Sequence, residues 1–596
     1  MRAHTRIWRY NLAIMNNRDV ATVFEQIADM LAIRGDSFHR ILAYRNAADS
    51  IRSLGRDIND LHAAGELQTI SGVGETLAAK IDELLTTGRL EFFDRLSAEI
   101  PPALTALLRV EGLGPKKVKT LYDALGITTL EALKAAASEG KVGTLPGMGK
   151  KTEANILAAI DALERHGDGR TPLWKAAPVA EELLAALVEM PGVTRSSVGG
   201  SLRRMRETIG DIDLLVAAAD SAAIMERFKK LPQVEAVIGS GPTKTTVQLH
   251  NGLQADLRVL PEERWGTLLS YFTGSQAHNI RLRELALKKG LSLNEHAFRP
   301  IVDGEITNEG GILCATEEEV YAALGLPFIP VPLREDRGEI EAAQKGKLPR
   351  LVENEDIRGD LQMHTTWSDG KLSVLEMARA AKERGLQYIA ITDHSYSLGV
   401  TGGLTVERLL EQGEEIRAAN EALGPDFRVL HATEMEIRAD GTLDFPDEVL
   451  AQLDFVAASL HTGLSQSREQ VMMRAMAALE NPHVDMLAHP TGRLIPDRPG
   501  ADLDMETLLK AARRTGTIME VNANPHRLDL RDKHVRLAVE LGVKLAINTD
   551  AHRAEELDLM PYGVATAQRG WATPDDVVNS WPLPDFLDFL AKKGGD

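Results

Sequence analysis

Apolar residues recur at helical spacing along the first third of the chain, in stretches such as Val20–Arg34 and Pro102–Val110 separated by short glycine-containing turns. From Asp19 to about Leu163 this pattern predicts helices alone. After a helix over Pro178–Met190 and the breaker Pro191-Gly192 the period changes. Val193–Val198, Ile212–Ala217, Thr245–Leu249 and Ala255–Leu260 are short β-rich runs, which predicts a mixed α/β unit. Helical spacing returns around Asn279–Lys289, and Pro330–Arg358, with its Pro, Gly and alternating charges, reads as an interdomain linker. Beyond Gly359 seven short strands alternate with helices: Asp360–Met363, Tyr388–Ile391, Arg428–His431, Phe455–Ser459, Val484–Ala488, Thr517–Val521 and Lys544–Ile547. Such alternation predicts a parallel sheet, open or closed, and polar residues stand just past nearly every strand end, where a barrel places its active site.

Length and composition bound this picture. At 596 residues the chain exceeds one hydrophobic core, and a soft prior of roughly 150 residues per domain implies about four units. The expected divisions are an extension over 1–14, helical regions over 15–100 and 101–170, an α/β unit over 171–263, a further subdomain over 264–332, a linker over 333–358 and the strand-helix repeat over 359–596. Residues 1–14 include Arg2, Arg6 and Arg9 but lack the apolar core and cleavage site of a secretory signal, and read as a start-site extension or a disordered arm. No run of about 18 apolar residues could span a bilayer, so no membrane partner is expected. The single cysteine, Cys314, excludes a disulfide framework and a cysteine-rich zinc module. Metals must then be held by His, Asp and Glu, and a reducing cytoplasm is the expected location. A net charge of −19 argues on average against DNA, yet carboxylates clustered for metal ions would themselves make the total acidic.

Three segments share one form: Ile70-Ser71-Gly72-Val73-Gly74, Val110-Glu111-Gly112-Leu113-Gly114 and Leu145-Pro146-Gly147-Met148-Gly149, each leading into a helix. They look like helix-hairpin-helix motifs, whose paired glycines let main-chain N–H groups at the next helix start meet phosphate without base readout. Any one would pass for a turn, whereas the repeat needs a common cause, sequence-independent DNA binding. The expected DNA-binding positions are Gly72, Gly74, Gly112, Gly114, Lys116, Gly147, Gly149 and Lys150, with Lys117 and Lys151 adding charge.

The central unit carries Gly199-Gly200-Ser201-Leu202-Arg203-Arg204 and then Gly210-Asp211-Ile212-Asp213. Asp211 and Asp213, two apart at the start of a strand, point to one face of the sheet. Two such carboxylates can share two Mg²⁺ ions about 3.5–4 Å apart. Asp256, on a later strand, is expected to join them as general base or as its orienting carboxylate. Ser201 and Arg204 are suited to β- and γ-phosphate oxygens.

Gly200-Ser201 with Arg204, Gly210-Asp211-x-Asp213, Asp256 and Tyr271-Phe272-Thr273-Gly274-Ser275 resemble the DNA polymerase beta group of family X, over roughly residues 15–330. The resemblance implies a multidomain α/β protein with N-terminal helical helix-hairpin-helix domains and a nucleotidyltransferase palm with a mixed sheet. It further implies Mg²⁺ or Mn²⁺ in the palm, with gapped or primed DNA and deoxynucleoside triphosphates as partners. By the same resemblance Tyr271, Phe272 and Gly274 line the sugar side of the nucleotide, and Asn279 and Arg283 contact the nascent pair. Gln254 and Gln276 depart from the Arg and Asp usual in vertebrate relatives, which puts base-pair contacts in doubt. Lys80 matches the family's Schiff-base lysine, although Thr76 replaces a supporting lysine and an exposed helical lysine is the plainer reading.

The C-terminal unit begins Asp360-Leu361-Gln362-Met363-His364-Thr365-Thr366-Trp367-Ser368-Asp369 and continues with Thr392-Asp393-His394, Glu434, His461, His489 and Asp550-Ala551-His552. Five histidines and several acids at successive strand ends predict a multi-metal site. The series resembles the PHP family of phosphoesterases over about 355–575, which implies a distorted (β/α)7 barrel holding up to three ions, Mn²⁺ and/or Zn²⁺. Family ligands carry over to His364, Asp369, His394, Glu434, His461, His489, Asp550 and His552. Gln362 departs from the family's His-x-His, so one ion is expected to bind weakly. Domain company then implies a DNA 3′–5′ exonuclease or end-processing activity beside short-gap filling in DNA repair. Two rivals are a phosphoesterase of small phosphate esters with a vestigial polymerase half, and a non-catalytic DNA-end scaffold. A monomer is expected.

Overall fold

The computed structural model describes residues 15, 17–52, 58–70, 72–110, 112–166, 170–307 and 309–593. The extension over 1–14 lies outside the described residues. The chain divides after Arg170 into two units.

In the first unit Val20, Phe24, Ile27 and Leu31 repeat at helical spacing along Asn17–Arg34, and all are buried in one apolar core with Tyr44 and Ile51 of the next helix. Ile70, Val73, Val110, Leu113 and Met148 pin the three hairpins to that core. Between these anchors Gly72, Gly112 and Gly147 take φ of +76°, +80° and +76°, backbone that L side chains rarely adopt, so the first glycine of each motif is conformationally required. Gly74 and Gly114 cap the helices Glu75–Thr87 and Pro115–Leu125, and Gly149 leads into Lys150–His166. The stretch expected as a helix from Pro102 is a 3-10 helix, Pro102–Arg109.

The second unit opens on a five-stranded sheet in the order Val193–Val198, Ile212–Ala218, Gln254–Leu260, Lys244–Leu249, Val234–Ser240. Ile212–Ala218 and Gln254–Leu260 run parallel and the remaining pairs antiparallel, so the sheet is mixed. Val234–Ser240 was not expected from the sequence; it is an edge strand whose residues are mostly exposed, so no alternation marks it. Trp265–Thr273 and Gln276–Lys288 follow, with a small antiparallel sheet of Leu291–Leu293, Phe298–Val302 and Glu305–Ile306.

The segment read as a linker is packed structure. Leu333, Ile340, Ala343 and Leu351 share one apolar core with Leu282, Phe298, Tyr321 and Trp571. Its charges, which suggested a solvated connector, are buried and paired: Arg334 with Glu317 as ions, and Glu339 with the His278 ring, whose charged form burial disfavours, at 2.6 Å. Beyond it, seven parallel strands lie side by side in chain order from Gly359–Asp360 to Leu545–Asn548. The first and last approach through Leu361 N–H to Asn548 Oδ1 at 3.0 Å and His364 N–H to the Ala551 carbonyl at 2.9 Å, which nearly closes the barrel.

Candidate active sites

In the palm, parallel pairing sets Asp213 directly beside Asp256, and Asp211 stands two residues before Asp213. Carboxylate oxygens from all three lie within 4.8 Å of one another. Burial pushes the Asp213 carboxyl up to about 7, and the neighbouring charges of Asp211 and Asp256 push the same way. One Asp256 oxygen, Oδ1, is buried without a hydrogen-bond partner among the described residues, while Oδ2 meets Lys244 Nζ at 2.6 Å. A repelling carboxylate cluster with an orphaned buried oxygen fits divalent cations.

The glycine pair makes room for this cluster. A Cβ on Gly200 would fall 2.4 Å from Asp213 Oδ2, and Gly200 has φ +60°, so a side chain there would be strained and would have to displace the carboxylate. Ser201 follows in the short helix Gly200–Arg203, and Gly210 joins the strand Thr208–Ile209 to Asp211. Arg204 donates from Nη1 to the Thr273 carbonyl and from Nε to Glu335 Oε1 at 2.9 Å. Its guanidinium thereby lies against Gly274, where a Cβ would sit 3.0 Å from Nη1. Phe272 carries the Arg258 guanidinium 4.0 Å above its ring. Asn279 Nδ2 donates to the Tyr271 carbonyl at 2.6 Å, Arg283 Nε to the Asn279 carbonyl at 3.4 Å, and these three residues line one small cleft. Lys244 escaped the sequence reading. Its signal was its place two residues before Thr246, which pairs with Asp256 across the strands.

At the barrel mouth three sets of potential ligands converge: His364, Asp369, His394 and His552; His394, Glu434 and His461; His364, Glu434 and Asp550. His489 Nε2 reaches Glu434 Oε1 at 2.8 Å, so Glu434 is the hub. Both Glu434 oxygens, Nδ1 of His364 and His394, both His489 ring nitrogens and both Gln362 amide atoms are buried without a well-directed hydrogen bond among the described residues, although the His489, His461 and His394 nitrogens stand 2.8, 3.2 and 3.2 Å from Glu434. Orphaned donor atoms in this number, on imidazoles and a carboxylate, fit metal ions. Burial and then His364 hold His394 down at about 3, the neutral form that ligates. His461 goes the other way: burial opposes its charge, but Glu434 and Glu436 raise it to about 10. His489 and Asp550 take φ of +26° and +58°, strained backbone that turns both side chains at strand ends.

Supporting residues were not singled out from sequence. Asp393 accepts from Thr365 N–H at 2.8 Å and hydroxyl at 2.6 Å and from Gln412 Nε2 at 2.6 Å, which fixes the His364 loop against the next strand. Glu436 orients His461 through Nδ1 at 2.8 Å. In the first unit Lys80 lies on Glu75–Thr87 with Nζ 5.0 Å above the Phe92 ring, and Lys116 and Lys150 are exposed beside their hairpins.

A carboxylate palm and a histidine-rich parallel barrel in one unit define a nucleotidyltransferase fused to a metal-dependent phosphoesterase. Family models bear this out: a helix-hairpin-helix domain matches residues 15–90, a SAM-like helix-hairpin-helix tandem 104–162, the DNA polymerase beta thumb 268–335 and the PHP domain 360–524. The chain is 40% identical to the DNA polymerase/3'-5' exonuclease PolX of Bacillus subtilis (strain 168) over 580 residues, 97% of this chain and 100% of that protein. DNA polymerase lambda of Rattus norvegicus is 27% identical over 336 residues, 52% of this chain and 55% of that one. A probable phosphatase of Thermoanaerobacter sp. (strain X514) is 27% identical over 245 residues, 39% of this chain and 94% of its own. The chain belongs to the PolX family, the family X DNA polymerases that carry helix-hairpin-helix domains and a C-terminal PHP domain.

Proposed function

We propose that the chain fills short gaps in DNA during repair and trims 3′ ends with its PHP domain, two activities in one polypeptide. The observation that carries the reading is the convergence of Asp211, Asp213 and Asp256 on one small volume. These carboxylates would hold Mg²⁺ or Mn²⁺, and the barrel set, including Gln362, would hold Mn²⁺ and/or Zn²⁺. When bound, such ions supply Lewis acidity: they activate the attacking oxygen and neutralise charge developing on phosphate.

The chain's own groups do the rest. Asp256 takes the proton of the primer 3′-hydroxyl, with its partnerless Oδ1 as acceptor. Ser201 and Arg204 hold the triphosphate in line, and Tyr271, Phe272 and Gly274 close the sugar side while Asn279 and Arg283 meet the nascent pair. In the barrel, the converging histidines and acids would hold the ions that bind the scissile phosphodiester, and the partly exposed Asp369, His461 and His552 leave the site open to the water that hydrolysis consumes. Hairpin glycines and Lys116 and Lys150 bind the DNA backbone without base readout. Lys80 is the candidate nucleophile for 5′-deoxyribose phosphate removal. The enzyme is a cytoplasmic monomer in this reading, each metal centre being built from one chain; among the described residues no helix is long and apolar enough to cross a membrane.

A second reading, a barrel acting on small phosphate esters, draws on the likeness to the probable phosphatase. A gapped primer-template assay separates the two. Asp213→Ala should abolish extension and spare trimming, and His364→Ala should do the reverse. Extension that survives Asp213→Ala would defeat the polymerase assignment, and trimming that survives His364→Ala would defeat the nuclease one.

A further inference from the structure

The barrel helix Met560–Arg569 ends against the palm, and its last residue, Arg569, is 3% exposed. Arg569 Nη1 donates to Glu335 Oε1 at 3.0 Å and to the Arg204 carbonyl at 3.2 Å, while Nη2 pairs with Asp532. Glu335 Oε1 is the same oxygen that accepts from Arg204 Nε at 2.9 Å. Arg206 approaches Glu335 Oε2 at 3.5 Å, and Arg337 reaches Asp532 at 3.0 Å. Four guanidinium groups thus share two carboxylates. Glu335 is held down at about 2: burial opposes its charge, but Arg569, Arg206 and Arg204 outweigh burial.

Such a surplus of partly buried positive charge is costly unless an anion completes it. Arg204, a member of this cluster, follows the short helix Gly200–Arg203 and is the residue read above as a ligand of the incoming triphosphate. We infer that Arg569, a residue of the PHP domain, is a positioning residue for the polymerase: it fixes Glu335, and through Glu335 the Arg204 guanidinium, so that the triphosphate site is incomplete without the barrel. The inference rests on the reading of Arg204 as a triphosphate ligand.

The physical consequence is specific. With Arg569 present, Glu335 Oε1 is held where it also receives Arg204 Nε, which sets the direction of the Arg204 guanidinium. Without it, Glu335 loses the partner that fixes its position, Arg204 loses its orientation, and the Arg204 carbonyl loses its donor. Nucleotide binding weakens, while the strand-end ligands of the barrel, on separate elements, are untouched. Asp532 anchors the other side of Arg569 from the first turn of Asp532–Leu541, where the helix dipole favours a carboxylate. A lysine at 569 cannot replace the fork that joins two acids.

The test uses the full chain in single-nucleotide gap filling. Arg569→Gln should raise the KM for deoxynucleoside triphosphate on the order of tenfold, with a much smaller change in kcat, and leave 3′ trimming of single-stranded DNA at the wild-type rate. Arg569→Lys should not restore KM. Because Arg569 acts through Arg204, the double variant Arg204→Ala/Arg569→Gln should be no worse in KM than Arg204→Ala alone. Glu335→Gln reports on the same link should Arg569→Gln fail to fold, and it should raise KM similarly. If Arg204→Ala raises KM but both Arg569→Gln and Glu335→Gln leave it unchanged, the positioning role is wrong and the triphosphate site stands. If Arg204→Ala itself leaves KM unchanged, the triphosphate reading falls and this inference with it.

Discussion

The two metal centres of this chain are built on opposite plans. In the palm three carboxylates, grading from the exposed Asp211 to the buried Asp256, sit side by side through strand register and a glycine loop. In the barrel, eight candidate ligands from six strands, most of them buried and five of them imidazoles, gather around Glu434, itself one of the eight. An open all-oxygen site exchanges its ions with each nucleotide that brings one in. A buried nitrogen-and-oxygen site retains them. On that ground the palm is expected to exchange its ions and the barrel to retain them, and the difference can be attacked from either side.

The largest effect is expected at the hub. Glu434→Gln should strip the barrel of bound ions and lower trimming by roughly 10³-fold, while extension stays near wild type, as elemental analysis and paired assays would register. Retention of a full metal complement would break the comparison. Gly200→Ala addresses the palm. A methyl group 2.4 Å from Asp213 Oδ2 should displace that carboxylate and cost extension about 10²-fold, with no change in bound barrel metal.

Proton competition comes next. The native Asp213 carboxyl, at about 7 against 3.8 when free, holds a proton that the unfolded chain has already released. Without divalent cation, stability of the second unit should thus fall as pH rises from about 4 to 7, and added Mg²⁺ should abolish that slope. In extension assays at limiting Mg²⁺ the rate should rise with pH through about 7, and saturating Mg²⁺ should move the midpoint lower. A midpoint indifferent to Mg²⁺ would mean that Asp213 is not shared with an ion. Smallest of all, Gln362→His should tighten one barrel ion against chelator without altering the palm, because imidazole replaces an amide whose two polar atoms have no partner among the described residues.

How much of this could be read from the sequence follows from whether the chemistry is local. Asp211 with Asp213, the three hairpins and each strand-end histidine are short-range patterns, and the structure brings the three palm carboxylates together as expected. The strands Tyr388–Ile391 and Phe455–Ser459 begin and end where the pattern places them, because buried apolar runs mark them, and Val193–Val198, none of whose residues is fully buried, does so after the breaker Pro191-Gly192. Partners joined only by folding left no such trace. Lys244 beside Asp256, Glu436 behind His461 and Arg569 beneath Glu335 are ordinary charged residues until the sheet, the barrel and their junction form. The segment 333–358 misled for the same reason: Arg334 and Glu339 look solvated in one dimension and are buried pairs in three.

The central claim is that Asp211, Asp213 and Asp256 together hold divalent cations. Crystals of the full chain with gapped DNA, a non-hydrolysable nucleotide and Mn²⁺, measured at the manganese absorption edge, test it most directly. The account predicts anomalous density between the three carboxylates, with their oxygens and the triphosphate as ligands. Density confined to the barrel, with Lys244 still paired to Asp256 and the palm carboxylates turned from one another, would contradict it.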